Sequence, residues 1–177
     1  MGESVKTLAR NYGVYLGVLL SIIYILVYFI NLNLFVNSTF GISLYIICVI
    51  FGIVAVAKVK QHRNGYLSFK DCFTSYFITI FIGLLLMTLL SYILFNFIDV
   101  EAAAALKELY KEKLIEVYNN LNVSKEKINE MLLQMEADNL FSFKNSFSTL
   151  LIRYILPLSI IGLLVSATLK KRNQDTE

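Results

Sequence analysis

Residues that could carry out catalysis or bind a metal are scarce in this sequence. Its only histidine is His62, and its only cysteines are Cys48 and Cys72. A structural zinc site needs four such ligands, and a nucleophilic site needs a serine or cysteine beside a base. His62 stands between Lys60 and Arg63 in a basic stretch, which is typical of a solvated loop residue. We therefore predict no enzyme, no metal site and no cofactor.

Three glutamates recur at helical spacing and could together bind a cation: Glu108, Glu112 and Glu116. Lysines stand beside them at positions 107, 111 and 113. Mixed charges at this spacing pair on the solvated face of a helix. We therefore interpret the three acids as solvent-exposed residues rather than as a metal site.

Arg153 is the only charged residue well inside an apolar segment that is long enough to cross a membrane. A guanidinium at the centre of a spanning helix costs about 2.5–3.5 kcal/mol on insertion scales, so it needs a partner or must reach the interface. Pro157 lacks the N–H that would bond the Arg153 carbonyl, so we expect a kinked, open turn. The sequence predicts an ion pair of Arg153 with Asp99 or Glu101. Contact with lipid phosphate and a place on an ion path are the alternatives.

The elements that position these residues follow from composition. Hydrophobic residues make up 57% of the 177 residues, charged residues 16%, and the mean hydropathy is +0.65. Soluble domains have roughly 45–50% apolar and about 25% charged residues, so we predict an all-α integral membrane protein. No charged residue occurs at 11–57 or 72–98. Because a crossing helix needs about 20 apolar residues, we predict four transmembrane helices, at about 12–30, 42–59, 72–97 and 147–169.

Basic residues are distributed unevenly around these segments. Nine lie at the N-terminus, between the second and third segments, and at the C-terminus: Lys6, Arg10, Lys58, Lys60, Arg63, Lys70, Lys170, Lys171 and Arg172. The short connection at 31–40 has none. Because cytoplasmic loops carry the excess of lysine and arginine, both termini are predicted to be cytoplasmic and residues 99–146 external. The first segment is longer than a signal-peptide core and is expected to remain in the protein.

Residues 99–141, between the third and fourth segments, are rich in charged residues. Asp99 can cap a helix that continues with Glu101 and four alanines. Apolar residues then recur at helical spacing, stop at an Asn-rich turn near 119–122 and resume after Ser124. We predict an extramembrane amphipathic helical hairpin at 99–141, beside a transmembrane bundle of residues 1–98 and 142–177. Its apolar stripes could pack on each other, on the membrane surface or on a protein partner.

Small residues repeat at four-residue spacing in the predicted transmembrane helices, where they let neighbouring backbones approach. The positions that we expect at such contacts are Gly13, Gly17, Ser21, Gly52, Gly83 and Gly162. They predict a compact four-helix bundle, although the same positions could support a homo-oligomer. Ser68, with Asp71 three residues later, is predicted to cap the third helix.

Short motifs along the chain are similar to those of a known family. They include Asn-Gly-Tyr-Leu-Ser-Phe-Lys at 64–70, Phe-Ile-Asp at 97–99 and Leu-Lys-Lys at 169–171. Over nearly its whole length the sequence resembles the family called domain of unknown function 4199, small inner-membrane proteins of Bacteroidota. Val100 and Arg153 depart from the family's pattern. The resemblance implies the membrane fold and a bacterial inner (plasma) membrane location with an external, periplasmic hairpin, but no activity, because the family has no established one.

Two functions from different classes are consistent with these features. The first is a non-catalytic inner-membrane protein that binds membrane lipid or a protein partner through the hairpin. The alternative is a small transporter or channel subunit, in which Arg153 would be the ionisable residue on the path. We expect no nucleic-acid partner, because the basic residues are spread over three segments and lack an aromatic platform.

Overall fold

The computed structural model describes residues 5–171, and this part of the chain is almost entirely helical. Six helices follow in chain order: α1 Val5–Ile30, α2 Ser38–His62, α3 Phe69–Ile98, α4 Val100–Asn120, α5 Lys125–Ala137 and α6 Phe143–Leu169. A 3₁₀ turn, Leu32–Val36, connects α1 to α2. Two stretches are π-helical: Leu94–Ile98 at the end of α3 and Thr149–Ile155 in the first half of α6.

Four of these helices, α1, α2, α3 and α6, are long and apolar enough to cross a membrane. The predicted all-α fold with four transmembrane helices is therefore confirmed. Each predicted segment lies within one of the four helices, but α1 already begins at Val5 and includes Lys6 and Arg10. The helices are longer than the apolar segments because a charged residue ends the apolar run without interrupting backbone hydrogen bonding. Arg172, which belongs to the basic set above, lies outside the described residues.

Side-chain caps determine where α2 and α3 begin. Asn37 Oδ1 accepts a hydrogen bond of 2.8 Å from the backbone N–H of Thr39. Ser68 Oγ accepts from the backbone N–H of Asp71 at 3.1 Å, and the Ser68 hydroxyl donates to the Asp71 carboxylate at 2.9 Å. The predicted cap of α3 is thus present, with Asp71 bonded to the Ser68 side chain. Gly65, in the preceding turn, has a φ of +86°, which glycine adopts without steric cost.

Helix α1 packs along α3 through small residues. A Cβ atom added at Gly17 would lie 2.5 Å from Leu86 Cδ1, and one added at Gly83 would lie 2.6 Å from Leu16 Cδ2. Gly13 is in equally close contact with α3. Since atoms of larger side chains cannot occupy these positions, the glycines set the distance between the two helices.

Tyr76 of α3 lies at the centre of the bundle and is 1% exposed. Its ring is held between α2 and α6, where Cβ atoms added at Gly52 and Gly162 would lie 2.4 Å and 2.6 Å from ring carbons. Its hydroxyl has no hydrogen-bond partner among the described residues. The predicted packing glycines therefore lie between helices of one chain, whereas Ser21 is only half-buried.

Large apolar side chains cover the outside of the bundle. On α1 they recur every three or four residues, and all are exposed: Val14, Val18, Ile22, Leu26 and Phe29. A continuous apolar surface of this kind marks a site of association or membrane contact. Together with the hydropathy of the four long helices, it indicates a lipid-facing exterior.

At the end of the bundle opposite α4 and α5, lysines connect α6 to the α2–α3 turn. Lys60 Nζ donates a hydrogen bond of 2.8 Å to the Leu169 carbonyl, near the C-terminus of α6. Leu67 and Lys171 form an isolated antiparallel bridge with two backbone hydrogen bonds of 2.9 Å. A cation is favourable there because the C-terminal end of a helix carries partial negative charge. Lys60 at the end of α2 and Lys171 after α6 thus lie at the same end of the bundle.

Candidate functional site

A cleft of about 850 Å³ lies between the α4–α5 pair and the adjacent parts of α2, α3 and α6. Its walls come from the first two turns of α2, the last half of α3, one face of α4 and the first half of α6. This volume lies within the range of about 300–1,000 Å³ that is common for ligand pockets. The cleft is therefore the candidate site.

Hydrogen bonds fix α4 and α5 beside this cleft. Asn96, in the last turn of α3, donates from Nδ2 to the Phe141 carbonyl at 2.7 Å. Lys107 Nζ of α4 donates to the carbonyls of Glu136 and Asp138 at 2.6 Å and 3.0 Å. The C-terminal end of α5 is thus tied to α4, and the return to α6 is tied to α3.

The apolar stripes of α4 and α5 are only partly buried. Leu106 is 1% exposed and Ile128 5%, whereas Leu121 is 66% exposed and Met131, Leu132 and Met135 are half-buried. Intramolecular packing therefore accounts for part of each stripe and leaves apolar side chains at the surface.

Arg153 lines the cleft, but the predicted ion pair is absent. Asp99 Oδ2 accepts a hydrogen bond of 2.5 Å from the Tyr28 hydroxyl, and Asp99 Oδ1 accepts one of 2.8 Å from the Ala102 backbone N–H. The bond from Tyr28, followed by that from Ala102, lowers the pKa of the Asp99 carboxyl. Within residues 5–171 no ion pair involves Arg153, Asp99 or Glu101. The prediction failed because Asp99 caps α4 and binds α1.

Tyr45 of α2 compensates for the proline in α6. Pro157 has no N–H to donate to the Arg153 carbonyl, and the turn around Arg153 is π-helical. The Tyr45 hydroxyl donates a hydrogen bond to this carbonyl. The turn that we expected to be open is therefore bridged to α2. Sequence reasoning missed Tyr45, because nothing near it in the chain marks it as the partner of a residue 108 positions away.

Tyr45, Tyr110 and Tyr154 line the cleft together with Arg153. Burial raises the pKa of Tyr110, and the charge of Arg153 opposes this effect. The Tyr110 hydroxyl therefore stays protonated at neutral pH and can donate a hydrogen bond. In the part of the chain that the structure describes, the hydroxyls of Tyr110 and Tyr154 have no hydrogen-bond partner.

The charged residues of the cleft are of one sign. Arg153 and Lys113 line it, and no aspartate or glutamate does so among the described residues. Lys113 Nζ lies 2.8 Å from the Glu116 carboxylate, so its charge is partly compensated. The charge of Arg153 has no such partner within residues 5–171. The cleft is consequently electropositive near Arg153.

The other candidate residues lie away from this cleft or contribute little to it. Glu112 and Glu116 line a smaller cavity of about 350 Å³ that also includes Lys113. Cys48 and Cys72 are buried and unpaired. Across residues 5–171, no group of three His, Cys, Asp or Glu side chains is placed to hold a metal ion.

Comparison with known proteins identifies the family. A family model described as Protein of unknown function (DUF4199) matches residues 11–171. Neither the curated proteins nor the solved structures compared with the chain give a match. The match includes the cleft and all four long apolar helices except the first residues of α1. Because the family model covers most of the sequence, the chain belongs to the DUF4199 family of proteins of unknown function.

Proposed function

We propose that this protein is a non-catalytic, multi-pass membrane protein that binds a membrane lipid in the cleft beside α4 and α5. The observation that carries the proposal is the mixed composition of the cleft wall. Arg153, Tyr110 and Tyr154 line the same cavity as the apolar residues Phe40, Leu44 and Met87. A lipid has a polar headgroup and apolar chains, so a wall with both kinds of side chain complements it.

The proposal includes a location. We place the protein in the bacterial inner membrane with both termini in the cytoplasm and residues 99–146 outside. The support is that basic residues gather at the end of the bundle opposite α4 and α5, as cytoplasmic ends do. The cleft would then open near the outer leaflet.

Reporter fusions test this orientation. A fusion at Arg63 should report the cytoplasm, and a fusion at Lys125 should report the periplasm, because the basic connection stays inside. Alkaline phosphatase and a fluorescent protein, which are active on opposite sides of the membrane, serve as the reporters. The reverse pattern would contradict the orientation.

A small transporter or channel subunit is the second candidate. The observation in its favour is Arg153, an ionisable residue within a helix long enough to span the membrane. A flux assay in reconstituted liposomes separates the two functions: flux that disappears in Arg153→Gln supports transport, and bound lipid without flux supports the binding function.

The exposed Leu121 and Leu133 offer a separate contact for a protein partner or a second copy.

Filling the cleft should remove the bound lipid. Gly41 lines the cleft, and no atom of residues 5–171 lies within 4 Å of a Cβ added there. Gly41→Trp therefore occupies the cavity without displacing the neighbouring helices. We expect the lipid that co-purifies in mild detergent to fall several-fold per protein, as counted by native mass spectrometry.

The matched control is Ile46→Trp, on the same helix. Ile46 is 54% exposed and does not line the cleft, so this variant should retain lipid at the wild-type level. Equal lipid in Gly41→Trp and Ile46→Trp would contradict the proposal. So would a wild-type preparation without tightly bound lipid.

A further inference from the structure

The cleft beside α4 and α5 presents hydrogen-bond donors and the positive charge of Arg153, which pairs with no acidic side chain among the described residues, whereas Lys113 is paired with Glu116. Arg153 and Lys113 are its charged residues among those described. From this imbalance we infer that the cleft selects a phospholipid with a net negative headgroup over a zwitterionic one, with Arg153 as the headgroup-binding residue. The inference rests on the proposed lipid-binding function and specifies its ligand.

Arg153 is the central element of this site. Its guanidinium has five N–H donors and no acceptor, and it matches the geometry of phosphate oxygens. Within residues 5–171 no carboxylate pairs with it. Arg153 lies within a helix that is long enough to span a membrane, where a guanidinium is costly unless an anion or water accompanies it. A phosphate oxygen would supply the missing acceptor.

The residues that line the cleft with Arg153 add hydrogen-bond donors and no negative charge. Tyr110 and Tyr154 line the same cleft as Arg153, and neither hydroxyl has a hydrogen-bond partner among the described residues. Asn37 and Ser38, at the start of α2, line the same cleft, and that end of a helix carries partial positive charge. An anionic headgroup would therefore meet favourable groups from α2, α4 and α6.

The apolar part of the wall favours a lipid over a free phosphate ion. Phe40, Ile42 and Leu44 of α2 and Met87 of α3 face the same cavity. Inorganic phosphate would leave these side chains uncovered, whereas acyl chains would bury them. The headgroup and the chains of one phospholipid can thus occupy the two parts of the cleft together.

The test compares two lipids that differ in headgroup charge and share their acyl chains. Full-length protein in a non-ionic detergent is titrated with dihexanoyl phosphatidylglycerol and with dihexanoyl phosphatidylcholine, and native mass spectrometry gives both values of Kd. We expect phosphatidylglycerol to bind about tenfold more tightly at low salt, because only phosphatidylcholine carries a cationic choline, which the positive charge of Arg153 disfavours. In Arg153→Gln both lipids should bind more weakly, because both contain the phosphate that Arg153 would contact, but the loss should be larger for phosphatidylglycerol, so that the ratio of the two Kd values falls to about one.

Two further variants exclude a simple charge effect. Arg153→Lys should keep part of the preference, because it keeps the charge but loses the bidentate fork. Lys144→Gln removes one positive charge from an exposed position in the same helix that does not line the cleft, and it should keep the full preference. Inorganic phosphate is added as a competitor, and it should displace phosphatidylglycerol only weakly.

Each remaining outcome has a distinct meaning. If both lipids bind equally well to the wild-type protein and Gly41→Trp removes both, the selectivity is overturned and the lipid-binding function stands. If neither lipid binds, the proposed function fails first. An equal loss of affinity for both lipids in Arg153→Gln would overturn the role of Arg153 in selecting the headgroup charge. Displacement by phosphate at low concentration would assign the site to a free anion.

Discussion

Gly52→Ala should destabilise the bundle by about 1–3 kcal/mol, the usual cost of overpacking a filled core, and Gly52→Leu should prevent folding. The reason is the position of the Tyr76 ring. A Cβ atom at Gly52 would lie 2.4 Å from Tyr76 Cε2, and the opposite side of the ring is closed by Gly162, where a Cβ atom would lie 2.6 Å from Tyr76 Cδ1. The ring cannot move away from one helix without entering the other.

The measurement is thermal unfolding of the purified protein in detergent, with Gly41→Ala as the control. Among the described residues no atom lies within 4 Å of a Cβ added at Gly41, so alanine there should be neutral or should gain about 0.5–1 kcal/mol from helix propensity. Replacing Tyr76 by leucine in the Gly52→Ala background should recover part of the loss, because the double substitution removes the clashing ring. Equal stability of Gly52→Ala and Gly41→Ala would show that Tyr76 does not fill this space.

The sequence predicts which glycines lie at helix contacts, but it does not predict which side chain of the neighbouring helix packs against each of them. Four-residue spacing of small residues identifies the face that approaches another helix, because this spacing is a property of one helix. Which side chain fills the space is a property of two or three helices together. Gly52 and Gly162 were therefore expected at helix contacts, whereas the ring of Tyr76 between them could not be anticipated.

The apolar segments and caps were predictable for a related reason. A hydrocarbon core demands about 20 apolar residues per crossing, and a cap depends on residues only three positions apart, as with Ser68 and Asp71. Both are local constraints. The predicted partner of Arg153 depended instead on how α3 and α6 face each other, and the carboxylate of Asp99 was already bonded to Tyr28 of α1.

The cleft itself had no signal in the sequence. Arg153 was marked by its charge, but Tyr110 and Tyr154 look like ordinary aromatic residues of an amphipathic helix and of a membrane boundary. They become part of one site only because α4 folds back beside α6. In the folded cleft Lys113 is paired with Glu116, whereas Arg153 pairs with no acidic side chain among the described residues.

Tyr45→Phe should lower the free energy of unfolding by about 1 kcal/mol, because it removes the hydrogen bond that the Tyr45 hydroxyl donates to a backbone carbonyl of α6. This carbonyl belongs to Arg153, and it accepts the hydrogen bond from the Tyr45 hydroxyl. Pro157, four residues later, has no N–H to donate to it. Tyr154→Phe is the matched control: its ring lies 5.6 Å from that of Tyr45, but its hydroxyl bonds no other described residue. In lipid-free detergent this control should unfold within about 0.5 kcal/mol of the wild-type protein. If both tyrosines can lose their hydroxyls at the same small cost, the α2–α6 bridge does not support the π-helical turn, and the position of Arg153 must depend on the packing of α6 alone.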